Sequence, residues 1–476
     1  MLRATLTLFM AYGAGTVLSF LRNVLIGRAL SVEEFGIVGT FALAFAIIEM
    51  ATYAGLDRMI VQDKSGDDPD FQANLQALQV ARGLVGAGMF LLLAWPYAWF
   101  LGNLDIYWAY LVVAGLPLIR GFIHFDVYRL QRSLTFGPTS LVTVGGPAAS
   151  LIAVAIFLPV IDSFLIMLVA LFVQQGVFVA LTHVVARQKW RIAFEFHTTM
   201  RALRFGIPLL INGVVVFAIH NGDLLLVGGF LGMEVLGWFY VATLITLAIS
   251  MNLDATVRSS LLPGLSKAFG AGEGFEPRAE QALEFAVAGA IALVAVIYVL
   301  GAPAVLILFG ADYAPTVDYL IPLAVLYAFK TAKLAPNVLA IARAETMLPV
   351  YSNLPRLVGL ALAGLILWLE GGGIELVLLM GILGEFCSLA LALWLGTRPA
   401  RGLALSAVVR PLAFLVLILA AVVAETLWHP AGAVWHENLR VHQIGVVLLM
   451  AAATLALPSV RRVIVSRLPG VGNGRV

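Results

Sequence analysis

Charge is scarce in this 476-residue chain: 12% of its residues are Asp, Glu, Lys or Arg, about half of the roughly 25% usual in soluble domains. Its single cysteine, Cys387, excludes an internal disulfide and a thiolate metal cluster; it lies in an apolar run and is expected to pack as a small hydrophobe. A formal net charge of +2 argues against nucleic acid as a partner. There is no Walker A sequence, so this chain's own ATP hydrolysis is not expected to drive anything. A His-Glu-x-x-His pair and a Gly-x-Ser-x-Gly elbow are also missing, and no cofactor is implied. The Gly-rich run Phe269–Gly274 follows no strand and reads as a flexible connector. Leu2–Leu30 has no small-residue cleavage site behind a short apolar core, which predicts a retained first span.

What is abundant is hydrocarbon: 61% of residues are hydrophobic and the mean hydropathy is +0.99. Apolar stretches of about 20 residues match a hydrocarbon core of about 30 Å. They fall at 4–30, 35–56, 75–101, 106–130, 138–160, 162–186, 205–231, 234–255, 283–302, 317–342, 348–369, 374–396, 408–427 and 442–458. The fold class is therefore all-α, a polytopic membrane protein with about 14 transmembrane helices. With both termini placed in the cytoplasm, the 29 Lys and Arg sort heavily to the inner loops, as the positive-inside bias requires. Arg28 and Arg440 are the outer exceptions. The outer side carries acids such as Glu33, Glu34, Asp105, Asp162, Glu234, Asp312, Glu370 and Glu375. The longer inner loops, 57–74, 187–204 and 256–282, are still too short for a soluble domain of roughly 50 residues.

The chain also repeats itself. Leu25, Gly27, Leu30, Glu33 and Gly36 recur as Leu226, Gly228, Leu231, Glu234 and Gly237, each in register across a short outer turn. Arg132, Thr135 and Pro138 align similarly with Arg343, Thr346 and Pro349. Two six-helix bundles in parallel repeat are expected, residues 1–186 and 205–396, joined by a linker at 187–204. Two further helices and a tail complete residues 397–476, and the substrate site is expected between the halves.

The segment Arg28-Ala29-Leu30-Ser31-Val32-Glu33-Glu34-Phe35-Gly36 resembles the opening of Wzx-type polysaccharide transporters in the multidrug/oligosaccharidyl-lipid/polysaccharide (MOP) exporter superfamily. So do Gly55-Leu56-Asp57-Arg58 with Ile60-Val61-Gln62, Phe205-Gly206-Ile207-Pro208, Asp223–Gly228, Leu236-Gly237 with Tyr240, and Pro263. The resemblance implies transfer of an undecaprenyl-pyrophosphate-linked oligosaccharide across the inner membrane. The partners it implies are that lipid-linked oligosaccharide, membrane lipids, and the glycan polymerase and export machinery, with no nucleic acid.

Charges at membrane depth are costly and usually face a cavity or a partner. Arg22 lies about 9 Å deeper than Arg28 and flanks a polar stripe of Tyr12, Thr16, Ser19 and Asn23. A guanidinium grips phosphate oxygens in a planar fork and stays protonated when desolvated. Arg82, Arg120, Lys330, Lys333 and Arg356 complete the basic set within spans. Arg82 and Arg356 sit near inner span ends, where they can also act as snorkelling anchors; Arg120 can instead pair with Asp126 or an acid on a neighbouring span. Lys330 and Lys333, spaced i, i+3, repel each other unless water or an anion intervenes. Asp254 and Arg258 are spaced for a helix salt bridge. By resemblance, Arg22, Arg28 and Arg258 are in the places where arginines of the first and eighth spans meet in a central cavity. Glu49, Asp223, Asp254 and Glu385, with His124 and His220, are candidates for coupling to H+ or Na+. His220 and Asp223 are also spaced for a simple hydrogen bond. Small residues within spans (Gly13, Gly15, Gly83, Gly86, Gly145, Gly146) mark close helix packing.

The expected function is a flippase working by alternating access, not an enzyme. A cation-coupled drug antiporter would want acids on the first span's polar face, where Arg22 stands. A glycan polymerase or glycosyltransferase would want a long outer loop; the segment Trp428–His442, with His429, His436, Glu437 and His442, is where such a site would fit.

Overall fold

Helix is the regular structure that this chain's apolar composition allows, since a membrane supplies no partners for open backbone groups. The computed structural model describes residues 2–271, 275–345, 347–396, 405–428 and 441–467, and among these all regular structure is helical. The first helices are α1 (Leu2–Ala29), α2 (Val32–Ala51), α3 (Leu56–Gln62), α4 (Pro69–Phe100), α5 (Tyr107–Val113), α6 (Gly115–Gly121) and α7 (Asp126–Arg132). Next come α8 (Gly137–Phe157), α9 (Leu165–Val184), α10 (Phe196–Leu231), α11 (Met233–Ala271), α12 (Phe275–Leu308), α13 (Thr316–Ala332) and α14 (Leu334–Ala342). The chain continues with α15 (Leu348–Ser352), α16 (Leu354–Leu369), α17 (Ile374–Gly396), α18 (Leu405–Trp428), α19 (Val441–Leu455) and α20 (Pro458–Arg467). Among the described residues, eleven helical segments are long and apolar enough to cross a membrane. The α13–α14 pair and the shorter apolar stretches Pro411–Ala424 and Gly445–Leu455 correspond to the other three predicted spans.

Local chemistry sets the boundaries. Ser31 caps α2: its hydroxyl accepts from Glu34 N at 3.3 Å, satisfying one donor that an α-helix start leaves open, and donates to Glu34 Oε2 at 3.3 Å. Asp68 caps α4, accepting from Asp70 N at 3.0 Å, with Pro69 in the first turn. The predicted span 106–130 is not one helix. It breaks at Ala114 and again at residues 122–125, ahead of α7. Span 317–342 breaks at Lys333. Pro117 and Pro336 explain the first and third interruptions, because each lacks the N–H owed to the carbonyl four residues earlier. Inner loops are shorter than predicted, since α11 continues to Ala271; of the glycine-rich connector, residues 272–274 lie outside the described residues.

The chain divides into two compact units, Met1–Tyr240 and Val241–Val476. In the first, α1 packs on α8, α8 on α9, α4 on α6, and α6 on α9. In the second, α12 packs on α13, α16 on α17, and α13 on α17. The third-with-fourth, fifth-with-sixth and fourth-with-sixth span pairings thus recur in the second set of spans. The helix ends repeat as well. Among the described residues, Leu134 (φ 57°) and Ala344 (φ 61°) are the non-glycine residues at positive φ, and each closes a Schellman-type cap. Thr135 N donates to Leu130 O at 3.0 Å and Glu345 N to Ala340 O at 2.8 Å. This places 134 with 344, one residue off the 132-with-343 alignment of side chains.

The repeated glycines have a physical reason. A Cβ on Gly36 would stand 2.0 Å from Met233 O, and one on Gly237 would stand 2.2 Å from Val32 O. The first turns of α2 and α11 therefore cross with backbones in contact. Of the six glycines predicted to mark packing, Gly15, Gly83, Gly86, Gly145 and Gly146 face close neighbours, whereas Gly13 faces open space. Cys387 is exposed, not packed as expected: α17 buries Glu385, Ser388 and Leu389, and Cys387 lies off that face.

Residues 187–195 form a non-helical strap laid along the first turns of α4. Gln76 Nε2 donates to Arg191 O at 2.7 Å, Asn74 Nδ2 to Glu195 O at 3.3 Å, and Ala193 N to Ala73 O at 3.3 Å. The fully buried Asp126 accepts from Arg187 N at 2.5 Å, Gln188 N at 3.2 Å and Arg129 Nε at 2.5 Å. Burial pushes this carboxyl's pKa up, but the hydrogen bonds from Arg129, Arg187 and Gln188 outweigh it and hold it below the usual value. A lowered folded-state pKa stabilises above the unfolded pKa of about 3.9, and that contribution is lost as pH falls through the folded value. Asp126→Asn is expected to turn one acceptor into a donor facing backbone N–H groups, at a cost of roughly 1–3 kcal/mol. Faster hydrogen exchange confined to residues 187–195 would show it; unchanged exchange would refute it.

Candidate functional site

Arg22 is 5% exposed on α1. Its Nε and Nη2 donate to Asn23 Oδ1 at 3.3 and 3.0 Å, and its Nη1 to Ser150 Oγ at 3.2 Å and Gln174 Oε1 at 2.5 Å. Every one of these acceptors is a neutral oxygen. Among the described residues no carboxylate comes within 4.0 Å of this guanidinium. The polar stripe identified in the sequence contributes Asn23 directly, while Thr16 turns back on Tyr12 O at 3.0 Å. A full positive charge is thus buried and hydrogen-bonded but not neutralised, an arrangement that is costly unless an anion visits it.

Beside Arg22 lies a cavity of about 270 Å³, walled by α1, α6, α7, α8 and α9 and including Tyr12, Arg120, Tyr128, Thr139 and Gln174. A second, smaller cavity of about 70 Å³ shares Arg120 and Tyr128 and adds Glu49, Asp57, Gln79 and Arg82. Glu49 is held between two arginines, Arg82 Nη2 at 3.0 Å and Arg120 Nε at 3.4 Å. Arg82 also donates through Nε to Thr52 O at 2.9 Å and through Nη2 to Glu49 O at 3.0 Å. It is therefore tied inward and does not snorkel. Arg120 takes the acid of a neighbouring span rather than Asp126. Its lining holds two acids, Glu49 and Asp57, and two arginines, Arg82 and Arg120, so this small cavity is balanced in charge.

In the second unit, Glu385 (1% exposed) accepts from Lys333 Nζ at 2.6 Å and lies 3.8 Å from Arg356 Nε. Lys333 Nζ also donates to Asn353 Oδ1 at 2.8 Å. Arg356 is 1% exposed, so it is no interfacial anchor. Lys333 sits at the break between α13 and α14, whereas Lys330 remains on α13 with its Nζ 4.9 Å from the Tyr327 ring centre. The repulsion expected between the two lysines is thus eased by Glu385 on one side and an aromatic face on the other.

The remaining candidates are scattered. Arg28 is exposed at the end of α1. Asp223 and Asp254 are half-buried on α10 and α11, and His220 is exposed. His124 is buried against His183, ring centres 5.2 Å apart; burial first, then the neighbouring His183, lowers its pKa. The Arg258 side chain lies outside the described residues, as do residues 429–440, where His429, His436 and Glu437 stand. The inventory of ionisable groups missed Gln131, Thr139, Thr143 and Gln175 of the larger cavity. The adjacent amides Gln174-Gln175 in the middle of an apolar span were the signal that could have found them.

The family described as "Polysaccharide biosynthesis protein" matches residues 25–318. The fold is similar to that of a structure named lipid II flippase MurJ in an inward closed conformation. The TM-score is 0.68 and the identity 14%, over 98% of this chain and 100% of that one. It is also similar to an inward-facing multidrug resistance MATE family transporter of the MOP superfamily (TM-score 0.64, 14% identity, 80% and 93% of the two chains). A MOP superfamily transporter from Pyrococcus furiosus, whose description reports a reversed polarity of its binding pocket, gives a TM-score of 0.55 at 15% identity over 82% and 94%. No curated protein sequence matches the chain.

Proposed function

We propose that this chain, which belongs to the polysaccharide biosynthesis protein family, is a flippase that carries an undecaprenyl-pyrophosphate-linked oligosaccharide across the inner membrane by alternating access. The chain is a multi-pass membrane protein with the MOP-transporter fold; in this reading both termini are cytoplasmic. One structural neighbour is named a lipid II flippase, in keeping with a lipid-linked substrate. The observation that carries the reading is Arg22: a buried guanidinium surrounded by neutral oxygens offers its whole charge to a diphosphate. Arg28, Arg258 and Lys330 are proposed to add direct contacts. Arg82, Arg120, Lys333 and Arg356 are already paired with Glu49 or Glu385, and would act through their field. Coupling to H+ or Na+ at Glu49, Asp223, Asp254 or Glu385 belongs to the same proposal; at Glu49 and Glu385 the ion would have to displace a resident cation.

A drug antiporter reading is weaker because α1 presents an arginine where a cationic substrate needs an acid. Arg22→Ala is expected to lower surface-glycan export roughly 10- to 100-fold at normal membrane abundance, the loss of about 1.5–3 kcal/mol of charged hydrogen bonding. Arg22→Lys should recover part of it. Complementation of a flippase-deficient strain measures both, and full export by the alanine variant overturns the proposal.

A further inference from the structure

We propose that the 270 Å³ cavity of the first unit is a saccharide subsite that takes the single sugar ring next to the diphosphate. The inference rests on the flippase reading and adds the element of the substrate that the protein would recognise. Its polar walls are amides and hydroxyls, among them Gln131, Gln175, Thr139 and Thr143. Amides and hydroxyls both donate and accept, which suits sugar hydroxyls. An inorganic cation would call for carboxylates, and none lines this cavity; a phosphate would call for free positive charge. The one charged residue in the wall, Arg120, is matched by Glu49 at 3.4 Å.

Thr139 marks the cavity as built for a polar ligand. It is 6% exposed, lines the space, and its buried hydroxyl oxygen has no hydrogen-bond partner. Such an orphan costs roughly 1–3 kcal/mol, which a ligand hydroxyl would recover. Gln175, 5% exposed, stands on the same wall. Tyr12 and Tyr128 in the lining supply aromatic rings for the C–H face of a sugar ring, while Phe178 carries the Arg120 guanidinium 5.2 Å from its ring centre. The volume lies just under the roughly 300–1,000 Å³ of small-molecule sites, so one ring fits and a whole oligosaccharide does not. Position links it to the anion site: Gln174, in the cavity wall, accepts from Arg22 at 2.5 Å. A diphosphate held by Arg22 would leave its first sugar at the mouth of this space.

The test uses the full chain in lipid nanodiscs and four probes: farnesyl diphosphate, and farnesyl diphosphate carrying glucose, galactose or N-acetylglucosamine. At least one sugar conjugate is expected to bind the native protein roughly tenfold tighter than the bare diphosphate, a gain of about 1.4 kcal/mol. Gln175→Leu should abolish that gain and the near-isosteric Thr139→Val should cut it about threefold, both with bare-diphosphate affinity unchanged. Arg22→Ala should weaken all four probes. If no sugar improves on the bare diphosphate, or if both cavity variants keep the gain, the subsite is overturned while the flippase reading stands. If the native protein binds none of the four probes, both fall.

Discussion

Glu385→Leu is expected to lower the thermal midpoint of the purified protein by at least about 5 °C and to deplete it from the membrane. The side chain is 1% exposed and lies 2.6 Å from Lys333 and 3.8 Å from Arg356, each itself at most 5% exposed in its side chain. Removing the carboxylate takes the acid away from two buried cations, Lys333 and Arg356, and Lys333 keeps the neutral Asn353 Oδ1 as an acceptor. Breaking a buried pair from one side typically costs about 3–5 kcal/mol, a large share of a total stability of roughly 5–15 kcal/mol. Replacing Lys333 by Met in the same protein should recover part of the loss, since one of the stranded charges then goes. Fluorescence-detected thermal unfolding in detergent measures both, and a single mutant as stable as the parent would show that Glu385 does not hold this cluster.

Gly36→Val should be still more damaging. An added Cβ would stand 2.0 Å from Met233 O and 2.9 Å from Met233 C, and both are backbone atoms that cannot rotate aside. Overpacking against flexible side chains costs about 1–3 kcal/mol; here the first turns of α2 and α11 must part, so the cost is expected to exceed that range. Gly237→Val, 2.2 Å from Val32 O, should behave alike. By contrast Gly13→Val meets nothing within 4 Å and should leave abundance unchanged. Immunodetection of the membrane fraction across the three variants decides the matter, and normal levels of the Gly36 variant would refute the crossing.

That contrast shows how far the sequence carries. The number of spans was legible because each needs about 20 apolar residues, and α1, α2, α8, α9 and α17 end within a few residues of the hydropathy limits. The breaks at Ala114 and Lys333 were legible in principle from Pro117 and Pro336, but a hydropathy window averages over a missing N–H. The repeat at Gly36 and Gly237 was visible as letters, though not that the two glycines sit where helix backbones touch.

The candidate site divides the same way. That Arg22, Arg82, Arg120, Lys333 and Arg356 sit within or beside membrane spans follows from composition along the chain. Which of them keeps an unspent charge does not. Arg82, Arg120, Lys333 and Arg356 meet Glu49 or Glu385 from distant parts of the sequence, whereas Arg22 meets Asn23, Ser150 and Gln174. Neutral amides such as Gln174 and Gln175 barely alter hydropathy, yet they build the wall beside it. Hydrophobicity is a sum over neighbours in sequence, so the chain alone determined that this is a multi-span membrane protein carrying buried positive charge. Charge compensation depends on distances of a few ångströms between residues far apart in sequence, and only the tertiary structure shows that Arg22 is met by neutral oxygens more than a hundred positions away, at 3.2 Å from Ser150 and 2.5 Å from Gln174, rather than by a carboxylate.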